Sequence, residues 1–233
     1  MARFSKAYSD LIVRLHEIDA ILSMSTQLQI SRPITRNFNL SNTLYRSGIL
    51  LLCSHLEAYV EDLACLAIAN IAQRSIQKSA MSLAFRYHLS SDLITPIRDA
   101  NDPEVIAKHI VALFCRDGHI WDNSSTFARR LSGDKFIRGF SGPSHKRVSR
   151  FFGRFGYREF GRDLARVLPG HVQLCIAMVD HLVDQRNKIA HGDLHSYGTP
   201  ADLRGIYSLV KLYCRHTDII VGDWFRGKGC AIR

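Results

Sequence analysis

Apolar positions fall into helical spacing over most of the chain. Phe4, Leu11, Ile12, Leu15, Ile18, Ile21 and Leu22 recur at intervals of three and four, which predicts an amphipathic helix within the first 25 residues. Residues 26–40 are polar and contain Pro33, so they read as a connector. The strongest helical pattern covers residues 41–74, with no proline and Gly48 as the single glycine. Within it Leu56, Tyr59, Val60, Leu63, Ala67 and Ile71 share one face. A helix of that length would extend ~50 Å and suits the centre of a bundle.

Downstream the pattern is more broken. A weaker stretch over 77–101 contains Pro96. Asn101-Asp102-Pro103-Glu104 then offers an N-cap, a first-turn proline and an acid at the positive end, predicting a helix that runs to about residue 115. Residues 117–143 are rich in Gly, Ser and Asp and read as loop or short irregular helix. Ser144 can cap a short helix ending near Gly153 or Gly156. Two further helices follow: one over 171–190, stopped by Gly192, and one opened by Pro200 and running to about residue 225. Residues 226–233 read as a frayed tail. No segment alternates in the manner of a strand, so the fold class is all-α: one domain over 1–233, a helical bundle of four or five major helices with inserted loops and a core at about 40–215.

Composition narrows the class. Hydrophobic residues make up 46% and charged residues 22%, which excludes an intrinsically disordered chain. The longest unbroken apolar run is the seven residues 63–69, far short of a membrane span, and the first residues hold no apolar signal core. A cytoplasmic protein with no membrane association is expected. The six cysteines include no C-x-x-C pair and mostly sit among aliphatic residues, the pattern of buried free thiols rather than a disulfide framework.

Charge points to a partner. The net charge is +10, and residues 116–166 alone hold twelve Lys/Arg against five Asp/Glu, or +7. Such an excess favours a polyanionic partner, usually nucleic acid, although a merely soluble cationic surface would read the same. Arg150, Arg154, Arg158, Arg162 and Arg166 recur every four residues, a possible phosphate track. Gly153, Gly156 and Gly161 oppose one continuous helix, so a helix, a turn and a second short helix are expected. The interleaved Phe151, Phe152, Phe155, Tyr157 and Phe160 read as core anchors rather than base-stacking platforms.

Phosphate-binding glycine loops, H-E-x-x-H and G-x-S-x-G are all absent. His191, Asp193 and His195 offer a local metal set, but it straddles a helix end without a second cluster, so neither a metal nor another cofactor is expected. The informative stretch is Asp184-Gln185-Arg186-Asn187-Lys188-Ile189-Ala190-His191-Gly192. It resembles the R-x(4–6)-H signature of HEPN domains. The upstream stretch from Arg46 to Leu63, an apolar run followed by Leu56-Glu57-Ala58-Tyr59, resembles the matching helix of the prokaryotic branch related to RiboL-PSP and MAE-type HEPN ribonucleases.

That resemblance implies a metal-independent endoribonuclease, often part of a toxin–antitoxin or phage-defence system, acting as a homodimer and at times held by an antitoxin or other partner protein. It implies that His191 acts on the ribose 2′-hydroxyl while Arg186 holds the scissile phosphate. From their chemistry, Asn187 could fix Arg186 or bind a phosphate oxygen as a neutral donor, and Glu57 could orient Arg186 through an ion pair, although Glu57 and Glu61, four residues apart, could equally form a solvated face. The alternative is a non-catalytic HEPN module that binds RNA or nucleotide, or a helical partner in a defence complex. Some HEPN toxins carry a tyrosine two residues after the histidine; here that position is Asp193, which puts control by its modification in doubt. Elementary chemistry agrees with the assignment: imidazole is the natural proton acceptor near neutrality, and a planar guanidinium suits a phosphorane. Five residues along one helix, however, separate two side chains by ~140°. A helix end or a dimeric cleft must therefore unite Arg186 with His191.

Overall fold

A computed structural model describes residues 4–31, 35–127, 131–193 and 196–232. Five long helices dominate: α1 (Lys6–Ser31), α2 (Thr35–Gln73), α5 (Pro103–Trp121), α9 (Val172–Ala190) and α10 (Pro200–Gly227). Between them lie the short helices α3 (Leu83–Leu89), α4 (Ser91–Asp99), α6 (Gly133–Ile137), α7 (His145–Gly153) and α8 (Phe160–Val167). Among the described residues there is no strand, so the all-α expectation holds.

The central helix is α2, packed against α1, α9 and α10. Its face of Ile49, Leu52, Leu56, Tyr59, Val60 and Leu63 is buried, as the spacing predicts. Gly48 sets one close approach. A Cβ there would lie 2.5 Å from Leu203 Cδ2, so the buried Leu203 side chain fills the space that the glycine leaves open. At the opposite end of α10 the buried Asp218 carboxylate accepts from the Ser5 backbone N–H at 3.0 Å and from the Ser5 hydroxyl, tying down the start of α1. Burial pushes the Asp218 carboxyl up, opposed by those hydrogen bonds.

The aromatic part of the same core sits beneath α3, α6, α7 and α8. Phe85 stacks on Phe155 at 5.4 Å and Phe152 on Phe160 at 5.4 Å, and all five aromatics from Phe151 to Phe160 are buried. The arginines between them are therefore carried on a helix–turn–helix whose apolar side is anchored. Lys78 closes the adjacent loop from within: its buried ammonium donates to the His119 carbonyl at 2.8 Å, to the Ser124 hydroxyl at 2.6 Å and to Asp122.

Three expectations need correction. The connector expected at 26–40 is largely helical, since α1 continues to Ser31 and α2 already starts at Thr35, so polarity alone did not end either helix; Pro33 lies outside the described residues. Helix α5 continues past residue 115 to Trp121, because Asp117 and Ile120 are buried and extend its packed face. The tail expected to fray turns back at Gly229 (φ +77°) and buries Cys230 and Ile232, with the Cys230 N–H donating to the Phe225 carbonyl at 2.9 Å.

Asp102 and Ser144 cap α5 and α7 as expected, accepting from the N–H groups of Glu104 at 2.7 Å and Arg147 at 3.4 Å. All six cysteines are free: four are buried, Cys65 is half-buried and Cys115 is exposed.

Candidate functional site

Helices α2 and α9 run antiparallel, as their contacts require. Arg46 near the start of α2 reaches the end of α9, where its Nη1 donates to the Asp193 carbonyl at 2.6 Å. Three turns further along α2, Glu57 Oε2 lies 3.6 Å from Arg186 Nη2, an ion pair without hydrogen-bond geometry. Between them the buried Cys53 thiol touches the Arg186 guanidinium. Arg46, Cys53 and Glu57 thus form one stripe along α2 that faces α9. The Cys53 contact, then the Glu57 charge, favour the cationic guanidinium against its partial burial.

Glu57 does a second task. Its Oε2 accepts from the Gly142 N–H at 2.9 Å, so the loop before α7 is tied to the carboxylate that faces Arg186. Gly142 has φ +59°, and a Cβ there would lie 3.1 Å from Arg147 Nη1 and 3.4 Å from Arg186 Nη2. Two guanidiniums therefore meet over a bare backbone.

His191 lies elsewhere. It is the C-cap of α9, exposed, with its N–H bonded to the Asn187 carbonyl at 2.9 Å. Gly192 (φ +82°) turns the chain, and the Asp193 N–H donates to the Lys188 carbonyl at 3.0 Å, closing the helix end. The following loop is held by Arg46, by the Ser196 hydroxyl on Asp193 Oδ2 at 3.1 Å and by Gly198 packed against the Tyr45 ring. The exposed residues Leu174, Ala177, His181, Asp184, Lys188 and His191 follow steps of three and four, so His191 ends a solvent-facing seam. Arg186 points inward toward α2, and Asn187 lies beside the seam, half-exposed. The structure brings Arg186 to Glu57, as the sequence suggests, and leaves Arg186 and His191 on different sides of one helix.

The basic segment divides sharply. Arg150 and Arg158 are exposed. Arg162 is exposed and paired with Glu159 at 3.2 Å. Arg154 is half-buried, with Nη1 donating to the Phe136 carbonyl at 2.5 Å and its guanidinium 5.0 Å over the Phe151 ring. The four do not form one track, because the chain turns between α7 and α8. Arg46, Cys53, Gly142 and Arg147 were not singled out from the sequence. The first two share a helical stripe with Glu57 that was legible; the contacts of Gly142 with Glu57 and Arg186 cross long stretches of chain and left no local signal, and Arg147 reaches the site only through Ser141 and Gly142.

Among the described residues no three His, Cys, Asp or Glu side chains converge as a metal set, and no helix is long and apolar enough to cross a membrane. His195, part of the local set considered above, lies outside the described residues.

A helical bundle with Arg-x4-His at the end of one central helix, faced by an Arg/Glu stripe on the antiparallel neighbour, defines a HEPN-type domain. The RiboL-PSP-HEPN family profile matches residues 9–223, and the chain belongs to that family. No match was found among curated proteins or among solved structures. Membership points to an RNA- or nucleotide-related role.

Proposed function

We propose that the protein is a metal-independent endoribonuclease whose site is completed by a second copy of the chain, as part of a toxin–antitoxin or phage-defence system. The observation that carries this is the split placement of the motif: His191 ends an exposed seam of heptad spacing, while Arg186 is fixed beside Glu57 at the neighbouring helix. A second copy docked about a two-fold axis at the C-terminal end of α9 would set its His191 against the Arg186–Glu57 pair of the first, joining in one cleft residues that lie on different sides of one helix.

In that cleft the His191 imidazole removes the proton of a ribose 2′-hydroxyl. The 2′-oxygen attacks phosphorus, and the bond to the 5′-oxygen breaks. The leaving oxygen takes a proton from the second copy's imidazolium, so the products are a 2′,3′-cyclic phosphate and a 5′-hydroxyl. Arg186 stabilises the added negative charge on the phosphorane, and Glu57 keeps its guanidinium aimed. Asn187, one turn before His191, is a neutral donor for a phosphate oxygen.

The test is incubation of purified protein with bulk RNA in EDTA. Cleavage is expected, and His191→Ala should lower its rate by ~10²–10⁴-fold with an unchanged melting temperature. An absolute requirement for a divalent ion, or undiminished cutting by His191→Ala, would overturn the assignment. RNA bound but never cut by the wild type would leave a binding module.

A further inference from the structure

The loop at 139–142 and helix α7 enclose a groove of about 310 Å³, lined by Gly139, Ser141, Arg147, Arg150 and Arg154 above the Phe151 ring. Its cations differ from others of the basic segment. Arg116 pairs with Asp92 at 2.5 Å, Lys135 with Asp117 at 3.1 Å, Arg162 with Glu159 at 3.2 Å and Arg166 with Asp163 at 3.6 Å. Among the described residues no carboxylate comes within 4.0 Å of the guanidiniums of Arg147, Arg150 or Arg154. Three positive charges thus surround one concave space with no ion-paired acid.

Two of them are held in place. Arg147 Nη1 donates to the Ser141 carbonyl at 2.5 Å, and Arg154 is fixed by the Phe136 carbonyl and the Phe151 face. Burial pushes the Arg154 guanidinium down from its ordinary value, the mark of a desolvated cation without a counter-charge. The groove also leads to the candidate site, since Arg147 and Arg186 approach each other over Gly142. A fixed fork of donors in a concave basic space suits a phosphate oxygen better than any neutral group.

We propose that this groove binds a phosphodiester of the RNA strand next to the scissile one, with Arg147 and Arg150 as its ligands and Arg154 as the buried charge at its base. The identity of the ligand rests on the ribonuclease reading above. Arg158 and Arg162, beyond the turn, lie outside the groove.

The experiment is a fluorescence-anisotropy titration of labelled single-stranded RNA, from low to physiological salt, against full-length protein carrying His191→Ala so that nothing is cut. Adding Arg147→Gln and Arg150→Gln together should weaken binding by about tenfold at low salt and flatten the salt slope by roughly 0.7 per arginine. The matched pair Arg158→Gln and Arg162→Gln should change affinity by less than about twofold. Circular dichroism confirms that both proteins fold; Arg154 is left intact because it packs against the aromatic core. Equal losses in the two pairs would show diffuse surface attraction, and no loss in the first pair would show no contact; either overturns the groove. If the wild type cuts no RNA yet the first pair alone loses binding, the groove stands and the nuclease assignment fails. If the wild type cuts in EDTA and the first pair binds normally, the groove alone fails.

Discussion

At the residue scale, Glu57 holds Arg186 and the Gly142 loop with one oxygen. Glu57→Gln keeps an acceptor for the Gly142 N–H but removes the charge opposite Arg186. We expect RNA cleavage to fall by about tenfold while the melting temperature and RNA affinity stay nearly constant. An equal loss of all three would make Glu57 merely structural.

Three histidines give a pH signature. Burial pushes His55 and His145 down from the usual imidazole value, and burial followed by the Arg154 charge pushes His88 down to about 4. The unfolded chain takes up these protons first, near pH ~6.5, so stability is full above that value and falls as pH drops toward the folded values. His88 should contribute a loss on the order of 1–2 kcal/mol, discounted because its ring keeps some solvent contact. Urea midpoints at pH 7.5 and 5.0 check this, a window above the range where the lowered Asp122 and Asp202 carboxyls act. A midpoint that rises on acidification would contradict it. Arg186, His191 and Glu57 could be singled out because the Arg-x4-His stretch and the helix around Glu57 resemble short motifs of a known family. The Gly142 and Arg147 contacts could not, because a loop meets two helices there only after folding.

At the element scale, apolar spacing identified the helices whose faces are buried, and proline or glycine marked several of their ends. It failed where polar residues continue a helix, as at the end of α1 and the start of α2, or where a late buried residue such as Ile120 prolongs one. Gly48 shows what periodicity hides: its missing side chain, rather than a turn, is its use. Gly48→Ala should force α2 and α10 apart at Leu203 and destabilise the protein by about 1–3 kcal/mol, measured by urea unfolding. A stabilised variant would mean that the helix gains more from alanine than the contact loses. Phe155→Ala, which empties the centre of the aromatic cluster, should cost about 3–5 kcal/mol and loosen α7 with its arginines.

At the scale of the whole molecule, the proposed site needs a second copy of the chain. Along α9 the exposed seam carries Leu174, Ala177, His181, Asp184, Lys188 and His191, and a second copy packed about a two-fold axis with the His191 ends together would cover part of it. We expect a homodimer by sedimentation. Ala177→Arg, small to large and charged at the seam, should shift it toward monomer and lower cleavage in step with the dimer fraction. A monomeric wild type with full activity at high dilution would leave the separation of Arg186 from His191 unexplained.

The chemistry of the cut ends tests the central claim most directly. Mass spectrometry of a defined RNA, digested in EDTA by the wild-type protein, should show a 2′,3′-cyclic phosphate on one fragment and a 5′-hydroxyl on the other, with both missing after digestion by His191→Ala. Fragments ending in 3′-hydroxyl and 5′-phosphate would contradict attack by the ribose 2′-oxygen and with it the roles given to His191 and Arg186.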